Sequence, residues 1–287
     1  LNNGQADLHT HSLVSDGTQA ASDNVRQARD LGLAAIAITD HDTMAGLAEA
    51  LEEGDRLKME VVPGVEISTV ADNQDIHVLG YYVGFHLPSF QSRLQSLRDT
   101  RGRRNDMIID KLKELGMGIT MQEVVDRLER PLRVGETVGR PHIASLLLAK
   151  GYVGSIKEAF DRFLGSGGAA YVNPPRITPQ QAIEWIRESG GCAVLAHPGL
   201  YGNDNLVTDL IAHGLDGIEA YHSDHTLEQE KVYVDLAVKH RLIVTGGSDF
   251  HGERGGAEYH GPIGNRTVGY ASVRQLQQLS AERKINS

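Results

Sequence analysis

Asp7-Leu8-His9-Thr10-His11-Ser12, the end of a short apolar run that includes Ala6, decides how the rest of the chain reads. In an extended segment alternate side chains point to one side, so His9 and His11 face the same way and one cation can take both imidazoles. Asp249-Phe250-His251 repeats that spacing near the other end of the chain. The same event recurs between them, as apolar strands end in histidines or carboxylates. Thr39-Asp40-His41-Asp42 follows the second strand, Gly64-Val65-Glu66 the third, His77 lies in the fourth, and Ala196-His197-Pro198 ends a later one. Parallel barrel strands open all their ends on one face, so residues far apart in sequence converge there.

Working outward, runs rich in Val, Ile and Ala alternate with amphipathic stretches, the pattern of an α/β fold with a parallel sheet covered by helices. Strands are expected to end at His9 and to span 33–39, 61–67, 76–83, 192–196, 217–220 and 242–246. Helices are expected at 23–31, 43–57, 206–213 and 227–240, with Thr178-Pro179 capping another that runs to Glu188. From 88 to 168 the pattern becomes helical and ends at Gly165-Ser166-Gly167-Gly168. The expected organisation is a barrel domain of 1–87 and 169–287 with a helical insertion subdomain at 88–168. That insertion carries Arg98, Arg101, Arg103 and Arg104, interspersed with Asp99, Asp106 and Asp110 and with no aromatic residue between them, which reads as a solvated helix face. Trp185 sits among Ala182, Ile183 and Ile186 and reads as core.

Composition narrows the partners. Of 287 residues 40% are apolar and 23% charged, ordinary for a globular chain. No apolar run approaches the roughly 20 residues that span a bilayer, and the start lacks a signal-peptide pattern, so a cytoplasmic protein without membrane contact is expected. Cys192 is the single cysteine, which excludes an internal disulfide and a thiolate zinc site and leaves nitrogen and oxygen as metal donors. The formal charge of −10 argues against duplex DNA, whereas a small anion can still bind beside cations.

Imidazole and carboxylate donors suit zinc, manganese or iron. Glu66 can bridge two ions, and a pair roughly 3.5–4 Å apart polarises a phosphoryl oxygen and generates hydroxide near neutral pH. One histidine at a strand end is usually an ordinary satisfied polar residue. Six polar strand ends brought together would bury ionisable groups without partners, and bound cations resolve that conflict.

These residues resemble the polymerase and histidinol phosphatase (PHP) family of metal-dependent phosphoesterases. The matching motifs, in family order, are DLHTHS at 7–12, SDG at 15–17, TDHD at 39–42, PGVEIS at 63–68, IHVLGY at 76–81, LAHPG at 195–199 and GSDFH at 247–251. The resemblance implies a distorted (β/α)7 barrel with two or three divalent ions, Mn, Zn or Fe. It implies that His9, His11, Glu66 and Asp249 hold one ion, Glu66, His77 and His197 a second, and Asp16, His41 and His251 a third. Asp7 and Asp40 would stand behind these ligands and orient them. Aspartate at position 16, the insertion and Gly139-Arg140-Pro141-His142 resemble the branch that holds a nucleoside 3',5'-bisphosphate phosphatase and a 5'-3' exoribonuclease.

That branch implies hydrolysis of a phosphate monoester of a small nucleotide, with Asp16 and Glu66 in the catalytic centre. Arg140 would bind the phosphate, and His225 would contact the substrate and protonate the leaving oxygen. The competing readings are exonucleolytic cleavage of short RNA, a histidinol-phosphate-type phosphatase, and a non-catalytic metal-binding module. Gly168 and Leu200 depart from the branch, which carries lysine and arginine at those positions.

Overall fold

In a computed structural model, which describes residues 4–128, 130–258 and 260–285, seven strands stand side by side in chain order. They are β1 (Gln5–Asp7), β2 (Ala35–Ile38), β3 (Glu60–Ala71), β4 (Gln74–Tyr81), β5 (Cys192–Leu195), β6 (Gly217–His222) and β7 (Ile243–Gly247). The sheet curls back on itself, because the Leu8 N–H donates to the Gly246 carbonyl (3.0 Å) and the His11 N–H to the Phe250 carbonyl (2.8 Å). Gly247 permits this seam, since a Cβ there would lie 2.4 Å from the Cβ and backbone nitrogen of His9. Beyond β7, β8 (Glu253–Arg254) pairs with β9 (Ala257–Glu258), and β10 (Val268–Gly269) pairs antiparallel with β1 as the eighth strand of a nearly closed barrel. Strands β2 and β5 are buried at every residue, as expected where helices cover the outer face.

One strand departs from the parallel expectation. Strands β1 to β3 are mutually parallel, as are β5 to β7, whereas β4 is antiparallel to both of its neighbours. Asp72 and Asn73, with φ of 51° and 60°, make a two-residue turn of the kind that favours a tight hairpin, and the chain folds straight back on β3. This reversal brings the beginning of β4, and His77 with it, to the face where the other strands end.

Helices α1 (Ala21–Asp30) and α2 (Leu47–Leu57) cover the first strands. The inserted segment holds α3 (Pro88–Glu114), α4 (Met121–Asp126), α5 (Arg140–Ala149) and α6 (Ile156–Ala159), the last running into a π turn at Phe160–Leu164. Helices α7 (Pro179–Glu188), α8 (Asp204–Ala212), α9 (Leu227–His240) and α10 (Tyr270–Ile285) return to the barrel wall. Thr178 caps α7 reciprocally with Gln181, and Pro179 fills the first turn, where its missing N–H costs nothing. Helix α10 and β10 lie beyond the elements expected from the sequence; α10 buries only Ser272, Val273, Leu276 and Ser280, too few apolar positions to mark a stripe. No helix among the described residues is long and apolar enough to cross a membrane.

Helix α3 joins two hydrophobic cores. Its Phe90, Leu94 and Leu97 pack with the barrel, and its Ile108, Ile109 and Leu112 pack with Ile143, Leu147 and Phe163 of the inserted helices. Between them, on the same stripe, lie Arg101 and Arg104, only 7% and 4% exposed. The expected solvated face is therefore corrected: Arg103 is exposed, but Arg101 and Arg104 point inward where α3 crosses the mouth of the barrel. Trp185 is half-buried against the barrel core, with the Arg93 guanidinium over its ring.

Candidate metal centre

Glu66, at the middle of β3 and 1% exposed, is the hub. Its Oε2 lies 3.2 Å from His11 Nε2, 3.5 Å from His9 Nε2 and 2.9 Å from His41 Nδ1. Its Oε1 lies 2.8 Å from His77 Nδ1 and 3.2 Å from His197 Nε2. Asp249 Oδ1 completes the first set at 3.2 Å from His9 Nε2 and 3.1 Å from His11 Nε2. A further set surrounds Asp16, whose Oδ1 is 3.4 Å from His251 Nε2 and whose Oδ2 is 3.7 Å from His41 Nε2. The structure thus brings all nine sequence-predicted donors together. Among the groups compact enough to hold an ion, three are built from these donors alone: His9, His11, Glu66 and Asp249; His41, Glu66 and His77; and His11, Asp16, His41 and His251. His41 falls between the second and third groups, and His11 between the first and third.

The donor set fits cations on a second ground. His9 Nε2, both nitrogens of His11, Asp16 Oδ1, His41 Nδ1, Glu66 Oε2, His77 Nδ1, His197 Nδ1 and Asp249 Oδ1 are buried and make no hydrogen bond among the described residues. Several of their separations are hydrogen-bond lengths, but the directions are wrong for sharing a proton. A buried unsatisfied polar atom costs about 1–3 kcal/mol, so this set in one cavity is explained by cations that the lone pairs share. With no sulfur present the donors suit zinc, manganese or iron.

Neighbouring groups fix the rings. His9 Nδ1–H donates to Glu219 Oε1 (2.9 Å) and His251 Nδ1–H to the Asp249 carbonyl (2.8 Å), tautomers that put the lone pair of each ring on Nε2. His222 Nδ1 accepts the Asp224 N–H (3.1 Å), so its Nε2–H faces Asp249 Oδ2 at 3.2 Å. His260 Nε2 lies 3.3 Å from the same oxygen. Glu219, His222 and His260 escaped the sequence reading. A carboxylate inside the apolar run Gly217-Ile218-Glu219-Ala220 was the available signal for the first of them.

Electrostatics follow from burial and from the crowd of carboxylates. Burial pulls the His11 ring down, but Asp249 and Glu66 outweigh it and carry its pKa up to about 10. Burial prevails at His41 and His197, which fall to about 4. Protons and metal ions therefore compete for the same nitrogens, and loading the centre releases protons. Strain gathers here too: His197, Asp249 and His260 have φ of 28°, 54° and 63°. Such backbone costs of order 1–3 kcal/mol per residue and persists only where the surroundings enforce it.

Other expected residues sit differently. Asp7 does not touch a ring; it accepts the backbone N–H groups of Ser248 (2.9 Å), His9 (3.3 Å) and Gly264 (2.8 Å), tying the two ends of the chain together. Burial pushes its pKa up to about 6. Asp40 likewise orients no histidine. It takes the Ser12 N–H (2.7 Å) and the hydroxyls of Ser12 (2.8 Å) and Ser15 (2.5 Å), so it shapes the loop that carries Asp16. His225 is not brought into the cluster. Its Nδ1–H donates to the Ala220 carbonyl (2.8 Å) and its Nε2 accepts the Gly199 N–H (3.0 Å), leaving no nitrogen for a leaving group.

Arg140 reaches the cavity of about 190 Å³ that holds the donors, anchored on Asp75 (2.6 Å) and the Leu164 carbonyl (3.2 Å). Arg101, on the same wall, grips Asp42 (2.6 Å) and Ser68 (2.5 Å). Arg176 also binds Asp75, and the two arginines together hold that carboxyl well below its usual range against the opposing effect of burial. Leu200 lines the cavity without a charge. Gly168 has no room for a longer side chain, since a Cβ would lie 2.6 Å from the Phe163 carbonyl carbon.

With this geometry in view, the comparisons with known proteins agree. The PHP domain family matches residues 7–221. The phosphoribosyl 1,2-cyclic phosphate 1,2-diphosphodiesterase of Eggerthella lenta is 34% identical over 255 residues, covering 87% of this chain and 95% of that protein. The 5'-3' exoribonuclease Rnm of Escherichia coli is 35% identical over 254 residues, covering 85% and 84%. The 3',5'-nucleoside bisphosphate phosphatase of Chromobacterium violaceum is 31% identical over 250 residues, covering 85% and 86%. Among solved structures, a protein from Bifidobacterium adolescentis assigned to the metal-dependent phosphoesterases superposes with a TM-score of 0.87 at 31% identity, covering 96% of each chain. By its family match and by relatives aligned along most of their own length, the chain belongs to the PHP domain family.

Proposed function

We propose that this metal-dependent phosphoric ester hydrolase removes a phosphate from a small phosphorylated nucleotide, of which a nucleoside 3',5'-bisphosphate is the leading candidate. The observation that carries the reading is one cavity walled on one side by unsatisfied metal donors and on the other by arginines. A phosphate ester is the group that both walls can hold at once. The bisphosphate phosphatase of Chromobacterium violaceum supports the choice of nucleotide.

Divalent ions held by these donors would polarise a phosphoryl oxygen and lower the pKa of water. His9, His11, Glu66 and Asp249 are assigned to one ion, Glu66, His77 and His197 to a second, and Asp16, His41 and His251 to a third. Glu66 divides its two oxygens between the first pair of sites. Glu219 holds the His9 ring in the tautomer that leaves Nε2 free. Arg140, fixed by Asp75, steadies phosphoryl oxygens through its planar fork. The barrel carries the donors, and the inserted helices supply Arg101, Arg104 and Arg140. We place the enzyme in the cytoplasm, acting on small substrates rather than on membranes or duplex DNA.

Short RNA is the second reading. It is favoured by the name of the Escherichia coli relative and by a further cavity of about 360 Å³ that shares Ser68, Arg101 and Arg104 with the first. A phosphate-release screen separates the two: nucleoside mono- and bisphosphates, sugar phosphates and end-labelled short RNAs, with manganese, zinc and iron supplied in turn. Free phosphate from the bisphosphate is expected. Shortened RNA with no phosphate from any small ester would replace the first reading with the second. No hydrolysis of any substrate with any of the metals would overturn both in favour of a non-catalytic metal-binding module.

A further inference from the structure

We propose that Arg104, with Arg176 beside it, forms a second anion subsite where the metal cavity opens into its neighbour, and that this subsite selects substrates bearing a second phosphate beyond the one cleaved. The proposal rests on the phosphoesterase reading above and adds to it the residue that reads the rest of the substrate.

Four arginines gather at the crossing of α3 over the barrel mouth, with two aspartates among them. Asp42 is taken by Arg101, which also holds Ser68. Asp75 gives one oxygen to Arg140 and the other to Arg176. Arg104 is left over. It is 4% exposed, and its Nε and Nη2 have no hydrogen-bond partner among the described residues. Arg176 contributes two more open donors: its side chain is 5% exposed, Nη2 is held by Asp75 and Asn173, and Nε and Nη1 have no partner.

A buried guanidinium without a counter-ion is strongly disfavoured, and a chain of net charge −10 has acidic residues to spare for neutralising one. The simplest alternative is a core arginine neutralised within the fold. Asp75 is the acid that faces Arg104, but its two oxygens bond Arg140 and Arg176, and it makes no hydrogen bond to Arg104, so one carboxylate serves three guanidinium groups. The open donors point to an anion from outside.

Location says which anion. Arg104 lines the cavity of about 190 Å³ beside His41, His77 and His197, and it also lines the adjoining cavity of about 360 Å³ together with Arg103, Arg176 and Gln181. An ester seated at the metal donors would extend the remainder of its molecule past this side chain. The planar fork of a guanidinium suits a phosphate better than a lone ammonium does. With Gly168 and Leu200 uncharged, the second cationic contact comes from α3 instead of from the loops.

The test reads binding, so it stands apart from catalysis. Calorimetry on the metal-loaded protein uses phosphonate analogues in which a methylene replaces each scissile ester oxygen. One nucleoside analogue carries phosphonates at both 3' and 5', one carries a single phosphonate, and a third is a dinucleotide with anionic phosphonate links. In Arg104→Met the doubly anionic nucleoside is expected to lose at least tenfold more affinity than the singly anionic one. An excess loss confined to that nucleoside supports a terminal phosphate as the second anion. An excess loss shared with the dinucleotide supports the next link of an RNA. Equal losses for all three analogues overturn the proposal. If Arg104→Met does not fold, Arg104→Lys and Arg176→Met carry the test. Each is expected to lose part of the same discrimination, and full discrimination in both overturns the proposal. A wild-type protein that binds the analogues but hydrolyses no ester would sink the proposed function and leave this result standing.

Discussion

On the barrel side of the cavity, Asp16 Oδ1, Glu66 Oε2, Asp249 Oδ1 and nitrogens of His9, His11, His41, His77 and His197 are buried with no hydrogen-bond partner among the described residues. On the α3 side, Arg101, Arg104, Arg140 and Arg176 present more N–H groups than Asp42 and Asp75 can accept. Both clusters are buried and both are incomplete, in opposite senses. Cations would complete the first and an anion the second, so a phosphate ester that bridges them would lower the cost of both. The elements that carry them differ as well. The donors sit on strand ends whose backbone register is locked, whereas the arginines sit on one long helix, at the start of α5 and on the loop before α7. The metal side is therefore built for fixed geometry, and the arginine side for holding whatever the substrate adds.

Glu66 is the position where a single change disturbs the metal side most. Glu66→Gln removes charge shared by two groups of donors, and phosphate release is expected to fall on the order of a thousandfold, the scale of losing a principal electrostatic stabiliser. Elemental analysis should show metal lost in parallel; unchanged metal content would mean that Glu66 is not the shared ligand. Breaking the arginine side should cost stability first. Arg101→Met leaves Asp42 buried without its partner, and urea unfolding should report a loss of about 3–5 kcal/mol. A loss below about 1 kcal/mol would place that pair among the weak surface bridges.

Finer changes sharpen the contrast. Glu219→Gln keeps the shape but weakens the grip on the His9 ring, so metal affinity measured against a chelator should drop roughly 10- to 100-fold. An unchanged affinity would remove Glu219 from the support of the centre. The smallest effect lies behind the Asp16 loop, at His142. Its Nδ1 accepts the Gly139 N–H, and burial, then Arg254, depresses its pKa from near 6.5 to about 4. The unfolded chain takes up a proton there first, so the stability this group contributes is complete above about pH 6.5 and is lost as pH falls through about 4. His142→Gln should flatten that part of the acid dependence in urea unfolding at pH 7 and pH 5. An identical slope in variant and parent would show that other groups carry it.

Much of the centre was legible before the fold was known, because period-two spacing and strand-end position are local properties. His9 with His11, Asp249 with His251, Glu66 and His197 all announced themselves in this way. The reversal of β4 was harder to see, since Asp72-Asn73 also fits an ordinary surface loop, and only pairing with β5 shows which way the strand runs. The buried arginines had left a trace. Phe90, Leu94, Leu97, Arg101, Arg104, Ile108 and Leu112 follow one another at helical spacing, and a charge within an apolar stripe is a signal of a buried role. The interspersed aspartates concealed it.

His225 and Asp40 teach the converse. Both occupy motifs that suggest chemistry, yet His225 spends its ring on two backbone groups and Asp40 spends its carboxylate on two serines. Residue type and spacing state what a side chain is able to do. Its neighbours decide what it has left to do it with.

The sequence by itself determined the chemistry of the donors: histidine and carboxylate without thiolate, repeated at the ends of apolar strands, in the order that marks the PHP family. Alternation along an extended backbone is fixed by covalent geometry, so those pairings needed no knowledge of distant contacts. Only the tertiary structure decided that Glu66 serves two groups of donors at once, that Glu219 rather than Asp40 steadies a histidine, and that Arg104 lies buried with its Nε and Nη2 unbonded among the described residues. Those facts depend on strand register, on the turn that reverses β4 and on how α3 docks across the barrel, and no local pattern fixes the distance between segments so far apart in the chain.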